Sequence, residues 1–347
     1  MAKDIYTIGV AGAGMWGKIH IDMLKQSGRA RVKWVCNRSL ESSWAAAAEM
    51  GIERAARDFG EITQDPEVDV VVIASPPYTH AAMTVDALRH GKHVLLEKPL
   101  ALNPGEAAAI VAEAEKHPEL VVLEGSGRHT RLNPKFLFVK SLIDSGRLGR
   151  IYHIHHNHLM QGTFIEYNPK GAWAMDRALA AGGPVMDWGE YDLSFHLGLL
   201  DDKPELCSLK SFSIGGLRSL GEAAPNVDVE MHAAAYMEFS GGLSYYYERG
   251  AGVHLETRCE TRLYGTQGGL RFYYTTWEPN TVELFYAGEK PAREVFEVDM
   301  SGYPANDNLP FLAHFFDCLD GKAEPVMPVA LAAKHFEILY KILREEK

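Results

Sequence analysis

Two short motifs in the first hundred residues carry groups that could do chemistry. The first is Gly12-Ala13-Gly14-Met15-Trp16-Gly17, a G-x-G-x-x-G pattern that directly follows an apolar run. The second is Glu97-Lys98-Pro99, which also follows an apolar run. A glycine-rich turn that opens a helix presents unbonded N–H groups to phosphates, and a lysine can exchange a proton with a hydroxyl. Together the motifs favour a nucleotide site beside a proton-transfer group.

Each glycine of the first motif has a predicted role. Gly12 permits a tight turn, Gly14 lets a pyrophosphate approach the backbone, and Gly17 lets the helix lie close to the sheet. Met15 and Trp16 begin that helix, so we expect them beside the cofactor as well. The alternative is a glycine-rich turn that holds no ligand.

The end of the second predicted strand bears on the choice of cofactor. An NAD-preferring site usually has an acidic residue there for the ribose hydroxyls, and this chain has Asn37-Arg38-Ser39. Asn37 can hydrogen-bond a 2′-hydroxyl, whereas Arg38 and Ser39 can receive a 2′-phosphate. We expect NAD or NADP, with a slight preference for NADP; the alternative is a solvated Arg38 without a ligand.

The elements that must position these motifs follow from the apolar pattern of residues 1–125. Short apolar runs alternate with helical stretches, which predicts a doubly wound, parallel α/β sheet of the Rossmann type. The predicted strands are Tyr6–Ala11, Val32–Cys36, Val68–Ala74, His93–Leu96 and Leu120–Leu123, and the predicted helices are Gly17–Gln26, Ser43–Met50, Ala81–His90 and Pro104–His117.

Residues 126–347 have a different character and are predicted to form a second, α+β domain. From about residue 150, extended stretches rich in Tyr, Thr, Phe and His follow one another, and turn signals separate several of them. They predict a large, open, mostly antiparallel sheet with helices on one face. A helical pattern over Leu309–Leu343 ends the chain. We expect the open sheet to bury a face in a homodimer or homotetramer.

Composition limits the classes of partner. The 347 residues carry a net charge of -11, which argues against nucleic acid or an anionic membrane as the main partner. The four cysteines show no metal-ligand spacing and suit a reducing compartment. The amino terminus lacks the pattern of a signal peptide, so we expect a cytoplasmic protein.

An ordered set of motifs resembles the glucose–fructose oxidoreductase, inositol dehydrogenase and MocA (Gfo/Idh/MocA) family of NAD(P)-dependent oxidoreductases. The resemblance covers nearly the whole chain, and the order of the motifs is more specific than any one of them. The motifs are the glycine-rich turn, Ser75-Pro76-Pro77-Tyr78-Thr79-His80, Gly91-Lys92-His93 leading to Glu97-Lys98-Pro99, Gly182-Gly183 leading to Asp187-x-Gly189, Gly265-Thr266-Gln267-Gly268 and Asn308-Leu309-Pro310-Phe311.

The resemblance implies three catalytic residues: Lys98, Asp187 and Tyr191. It places Lys98 beside the nicotinamide and the reacting hydroxyl, with Asp187 holding its ammonium. Tyr191 stands where the family usually has histidine, and Ser194 where it usually has aspartate, although some members similarly carry tyrosine. A tyrosine is protonated at neutral pH and suits proton donation; to act as a base it needs a nearby positive charge.

Further contacts are expected on both ligands. Ser75, Pro76, His80 and Glu97 are candidates for the cofactor. Candidates for the substrate, besides the three catalytic residues, are Arg128, His156, His158 and Trp173.

Alternatives for this second group stay open. The histidine-rich stretch 151–160 could hold a metal or simply fill the sheet, but no Asp, Glu or Cys lies near it in sequence, and we predict no metal. Arg131, near Arg128 and His129, and Asp176, near Trp173, could be substrate contacts or ordinary surface charges.

The expected activity is hydride transfer between NAD(P) and a hydroxyl or keto carbon of a sugar, glycoside or cyclitol. One alternative is an NAD-dependent enzyme that cleaves glycosides through a transient keto-sugar. Another is a nucleotide-sensing protein without catalysis, against which the presence of Lys98 and Asp187 argues.

Overall fold

A computed structural model describes residues 3–223, 227–287 and 290–344, and the chain divides into two compact units. The first comprises Met1–Ser126 and Asn308–Phe336, and the second comprises Gly127–Asp307 and Glu337–Lys347. The sequence prediction assigned residues 126–347 to a single second domain, whereas residues 308–336 belong to the first unit of the structure.

A helical hairpin near the end of the chain is fastened to the first strand. Tyr6 donates a hydrogen bond to the Asp320 carboxylate at 3.0 Å and stacks on Phe316 at 6.0 Å. Glu124 N–H also donates to the Met327 carbonyl oxygen at 3.2 Å. These contacts join segments more than 200 residues apart in the chain, so sequence proximity could not predict them.

The first unit contains a six-stranded parallel sheet in the order β3-β2-β1-β4-β5-β6. The predicted Rossmann-type fold and its five strands are confirmed, with bounds that shift by a few residues. The elements are β1 Tyr6–Ala11, α1 Met15–Gln26, β2 Ala30–Cys36, α2 Leu40–Met50, β3 Arg54–Ala56, α3 Gly60–Thr63, β4 Val70–Ile73, α4 His80–Arg89, β5 His93–Leu96, α5 Pro104–Ala114 and β6 Val122–Glu124.

The second unit contains an eight-stranded sheet in the order β14-β13-β12-β11-β7-β10-β9-β8. Only the β7–β10 pair is parallel among the pairs of this sheet in the described residues, so the predicted, mostly antiparallel sheet is confirmed. The elements are α6 Pro134–Asp144, β7 Ile151–Met160, α7 Phe164–Tyr167, α8 Arg177–Ala180, α9 Pro184–Gly198, β8 Leu206–Ile214, β9 His232–Phe239, β10 Leu243–Ala251, β11 Glu260–Gly265, β12 Gly268–Tyr273, β13 Thr281–Tyr286 and β14 Ala292–Glu297.

Two helices follow, α10 Asn308–Leu319 and α11 Val329–Arg344. The predicted single helical region is therefore interrupted, by a turn around Gly321, which has a φ of +72°. Within the described residues, no helix is both long and apolar enough to cross a membrane.

The two faces of the eight-stranded sheet differ in burial. One face packs against α9 and is filled with buried side chains such as Tyr245, Tyr247 and Phe272. The other exposes large apolar side chains, among them Phe212, Tyr236 and Phe285. The buried face positions the candidate site in the second unit, because α9 carries Asp187 and Tyr191.

Candidate active site

The glycine-rich turn joins β1 to α1 at the carboxyl edge of the parallel sheet. Gly12 has a φ of +88°, and a Cβ there would lie 2.5 Å from Ser75 N; a Cβ on Gly17 would lie 1.7 Å from the Gly12 carbonyl oxygen. A Cβ on Gly14 would meet nothing within 4 Å. The open space at the amino end of α1, which has no acidic residue in its first turn, fits a dinucleotide pyrophosphate.

Asn37 braces the turn at its start. Its Oδ1 accepts a hydrogen bond from Ala13 N–H at 2.6 Å, and its Nδ2 donates to the Ser42 carbonyl oxygen at 3.0 Å. Arg38 is exposed and, among the described residues, has no ion-pair partner. Asn37 thus holds the backbone of the turn, while the Arg38 guanidinium remains available to an anionic ligand.

Two buried histidines brace the loops that follow β4 and β5. The His80 nitrogens lie 2.8 Å from the carbonyl oxygens of Ser75 and Pro99, and the ring is fully buried. His20 Nε2 lies 2.6 Å from Glu97 Oε1, and both side chains are buried. Burial and these bonds make both side chains supports of the loops, and their predicted direct contacts with the cofactor stay predictions.

Lys98 lies in the chain between Glu97, which His20 holds, and Pro99, which His80 holds. It is the second residue after β5, is half-buried, and forms a cis peptide bond with Pro99. Ser75 and Pro76 follow β4, the neighbouring parallel strand. Because the carboxyl ends of parallel strands meet at one edge, Lys98 shares that edge with the glycine-rich turn, at the point where ligands bind in such sheets.

Helix α9 begins at a buried carboxylate. Glu230 accepts hydrogen bonds from Gly183 N–H at 2.9 Å and Val185 N–H at 3.0 Å, and its burial raises the pKa of the carboxyl group. A Cβ on Gly183 would lie 2.2 Å from the Glu230 carbonyl oxygen. This close approach explains the double glycine, and it sets the start of the helix that carries Asp187 in its first turn and Tyr191 one turn later.

Tyr191 is buried among a cation and two aromatic rings. Arg128, fully buried, donates a hydrogen bond to the Tyr191 hydroxyl, and its guanidinium carbon lies 5.7 Å from the ring centre. The ring centres of His129 and Trp188 lie 4.7 Å and 5.2 Å from that of Tyr191. The Arg128 guanidinium acts on the tyrosine, where a positive charge favours the phenolate, and its predicted contact with substrate stays a prediction.

Asp192, the next residue, is the centre of a buried polar network. It accepts hydrogen bonds from Arg249 Nε and Nη2, both at 2.7 Å, from the Tyr274 hydroxyl at 2.6 Å and from the Tyr247 hydroxyl at 3.0 Å. Burial alone would raise the pKa of Asp192, but the Arg249 guanidinium and the His156 ring hold it well below its usual value. Sequence reasoning missed Asp192, because its hydrogen-bond donors Tyr247, Arg249 and Tyr274 lie 55 or more residues away.

The two predicted substrate histidines belong to the same network. His156 is fully buried and bonds Thr261 Oγ1 at 2.9 Å, and its predicted contact with substrate stays a prediction. His158 is half-buried and lies 2.9 Å from Arg249 Nη1. Burial and the Arg249 charge lower the pKa of His158 to about 3, so it stays neutral near pH 7 and cannot serve there as a proton donor in imidazolium form.

His156, Asp192 and Cys259 offer ligand atoms that lie within 4.8 Å of one another. They are the groups that a metal site involving the histidine-rich stretch 151–160 would use. Burial raises the pKa of the Cys259 thiol to about 12, whereas metals bind the thiolate. Arg249 already neutralises the Asp192 carboxylate. The cluster fits a buried ion pair better than a metal centre.

Trp188 and Trp277 lie near Tyr191, whereas Trp173 is the tryptophan that the sequence predicted as a substrate contact. Trp173 is half-buried on a short 3-10 helix and packs against Phe164 at 6.2 Å. Trp277 contacts the Trp188 and His129 rings at 5.7 Å and 5.8 Å. Trp188 is helically spaced from Tyr191, a signal available in the sequence, but nothing in the sequence connects Trp277 to α9.

Two other charged residues considered for the substrate have structural partners. Arg131 forms a double ion pair with the Asp202 carboxylate at 2.6 Å and 2.8 Å. The Asp176 carboxylate accepts a hydrogen bond from Ala178 N–H at 2.9 Å and caps α8. Both contacts favour the interpretation of these residues as ordinary structural charges.

Comparison with known proteins matches both halves of the chain. Residues 6–124 match the model described as "Oxidoreductase family, NAD-binding Rossmann fold", and residues 136–271 match the GFO/IDH/MocA C-terminal domain.

Relatives of known name extend over most of the chain. It is 24% identical to levoglucosan dehydrogenase of Pseudarthrobacter phenanthrenivorans over 319 residues (85% of this chain, 80% of that protein). It is 29% identical to 1,5-anhydro-D-fructose reductase of Ensifer adhaerens over 295 residues (83% and 80%). The solved structure of a levoglucosan dehydrogenase with NADH and L-sorbose superposes with a TM-score of 0.82 at 20% identity, covering 98% of this chain and 96% of that one, which supports the fold. The chain therefore belongs to the GFO/IDH/MocA family of oxidoreductases, as its ordered motifs predicted.

Proposed function

We propose that this oxidoreductase transfers a hydride between NAD(P) and a hydroxyl-bearing or keto carbon of a sugar, glycoside or cyclitol. The observation that carries the proposal is the buried Tyr191 hydroxyl, which receives a hydrogen bond from the fully buried Arg128 guanidinium. Relatives named for levoglucosan and 1,5-anhydrofructose support the substrate class. The nicotinamide, when bound, accepts or supplies the hydride.

The chain's own residues handle the proton that accompanies the hydride. In the oxidation direction the Tyr191 phenolate accepts the proton of the substrate hydroxyl and becomes the phenol, which then passes that proton to solvent; in the reduction direction the phenol donates its proton to the oxygen of the carbonyl group and becomes the phenolate. The Arg128 guanidinium stabilises the phenolate, which is the form present before oxidation and after reduction. Lys98 binds and polarises the same substrate oxygen, and Asp187 orients the Lys98 ammonium group.

The cofactor is held by the carboxyl edge of the parallel sheet. Gly14 leaves room for the pyrophosphate, with Met15 and Trp16 beginning the adjacent helix. We further propose a modest preference for NADP, supported by the exposed Arg38 and by the absence of an acidic side chain at position 37. A guanidinium pairs well with a phosphate. The ratio of kcat/KM for the two cofactors measures this preference.

A screen of monosaccharides, glycosides and cyclitols with both cofactors, followed at the nicotinamide absorbance, tests the function. Once a substrate is found, Lys98→Ala and Tyr191→Phe should each lower kcat by ~10²–10⁴-fold, because positioned acid–base groups typically contribute that much. The Kd for the cofactor should hardly change. The double variant should be little slower than the slower single one, since groups that act as a unit are not additive.

Tyr236→Phe is the matched control, because Tyr236 is 48% exposed on the other face of the sheet, and it should leave kcat unchanged. Near-normal turnover in Tyr191→Phe would remove Tyr191 from proton transfer. Release of free sugar from a glycoside without net NADH would instead identify the glycoside-cleaving alternative. Cofactor binding with no turnover of any compound would favour the nucleotide-sensing alternative.

A further inference from the structure

Trp277 is a large apolar side chain that the fold leaves exposed beside the surroundings of Tyr191. Its side chain is 58% exposed. Its ring centre lies 5.8 Å from that of His129 and 5.7 Å from that of Trp188, at interplanar angles of 80° and 82°. Both of these rings contact Tyr191 directly. One aromatic ring therefore separates Trp277 from the proposed proton-transfer group.

The loop that carries Trp277 is fixed by a buried lysine. Lys135, 1% exposed, donates to the carbonyl oxygens of Thr275, Glu278 and Pro279 at 2.7 Å, 2.9 Å and 3.1 Å. Burial lowers the pKa of this ammonium group to about 8, so its desolvation carries a cost that the three acceptors offset.

A second side chain holds the start of the same loop. Asn133 Nδ2 donates to the Tyr274 carbonyl oxygen at 3.0 Å, and the Tyr274 hydroxyl is itself bonded to Asp192 at 2.6 Å. The backbone on both sides of Trp277 is thus held in place, while more than half of the Trp277 side chain stays exposed. Such preorganisation reduces the entropy lost when a ligand binds.

An exposed indole held in this way suits a sugar ring. When the hydroxyls of a six-membered ring are mainly equatorial, its faces are made of C–H groups, whose partial positive charge is attracted to the negative face of an aromatic ring. An open-chain polyol presents no such face. Resting on the proposed sugar-directed function, we propose that Trp277 is a stacking platform that selects cyclic over open-chain substrates.

Calorimetric binding to the NADH-saturated enzyme tests the platform without turnover, because NADH cannot oxidise a sugar hydroxyl. The cyclic probes are methyl β-D-glucopyranoside and myo-inositol, whose ring hydroxyls are all or nearly all equatorial, and the open-chain probe is D-sorbitol. Trp277→Ala should weaken binding of the cyclic probes about tenfold, while Trp277→Phe retains part of the affinity. Binding of D-sorbitol should be weak in every variant.

Trp44→Ala is the matched control, because Trp44 is a 53% exposed tryptophan on α2 in the first unit, and it should bind as the wild type does. Thermal unfolding should be similar in all variants, since both indoles are exposed. Wild-type affinity of Trp277→Ala for the cyclic probes, or no binding of any cyclic probe by the wild type, would overturn the platform. Loss of binding in Trp277→Ala, from a wild type that binds sugars but never turns them over, would support the platform while contradicting the proposed function.

Discussion

Tyr191 and Asp192 are neighbours in the chain, yet their surroundings suit them to different roles. The Tyr191 hydroxyl accepts a hydrogen bond from the Arg128 guanidinium and packs against His129 and Trp188, so a nearby cation can stabilise its phenolate form. The Asp192 carboxylate accepts hydrogen bonds from several donors at once. It is suited to holding α9 against the sheet and not to exchanging a proton.

Removing the cation from Asp192 should be costly. Arg249→Met leaves a buried carboxylate without its main partner and should lower the free energy of unfolding by about 3–5 kcal/mol, measured in urea. Arg57→Met, at an exposed arginine, should change it by less than about 0.5 kcal/mol. The double variant Asp192→Asn/Arg249→Met should recover part of the loss, because the buried charge is gone.

Acid unfolding provides a second measurement of this pair. The lowered pKa of Asp192 stabilises the folded state above the unfolded-state pKa of about 3.9, and this contribution is lost as the pH falls through the lower folded-state value. Arg249→Met should therefore unfold at a higher pH than the wild type. Identical acid midpoints and identical urea stability would show that the ion pair contributes nothing to the fold.

At the scale of elements, α9 depends on Glu230 for its start. Glu230→Ala leaves the buried N–H groups of Gly183 and Val185 without their acceptor and should destabilise the protein by about 1–3 kcal/mol. Because Asp187 lies in the first turn of α9, kcat should fall as well, with little change in the Kd for NAD.

Glu256→Ala, at an exposed glutamate, is the control for this helix and should change neither quantity. Glu230→Gln keeps an acceptor for the N–H groups and should retain part of the stability. The stability of Glu230→Gln relative to the wild type should rise with pH. The raised pKa of Glu230 means that the wild type loses stability as its buried carboxyl group ionises, whereas glutamine does not ionise. A Glu230→Ala protein as stable as the wild type would contradict this account of the helix start.

At the scale of the whole molecule, cofactor binding should be visible as stability, because a ligand that binds only the folded state raises the free energy of unfolding by about 2.7 kcal/mol at a hundred times its Kd. NADP should raise the Tm more than NAD does. Arg38→Ala should reduce the NADP effect selectively, and Gly14→Val, whose side chain fills the open space of the turn, should abolish both. Equal losses for both cofactors in Arg38→Ala would contradict the NADP preference.

The expected assembly of the chain into a homodimer or homotetramer stays a prediction.

The sequence by itself determined the local elements and the nucleotide turn. The glycine spacing, the apolar runs of the parallel strands and the position of Lys98 after β5 depend on residues close together in the chain, and each was predicted in place. β3, with three residues, is too short for its apolar pattern to be read. The break between α10 and α11 was missed although Gly321, Pro325 and Pro328 mark it in the sequence.

Only the tertiary structure decided which side chains surround Tyr191. Arg128 approaches it from 63 residues away, Arg249 reaches Asp192 across 57 residues, and Glu230 reaches Gly183 across 47. Trp277 joins the same surroundings from a loop between two later strands. These partners are selected by strand register and by the need to satisfy buried charges and hydrogen bonds. Neither requirement leaves a periodic trace in the sequence, so the hydrogen-bond partners of Arg128, His80 and His156 could be identified only once the chain was folded.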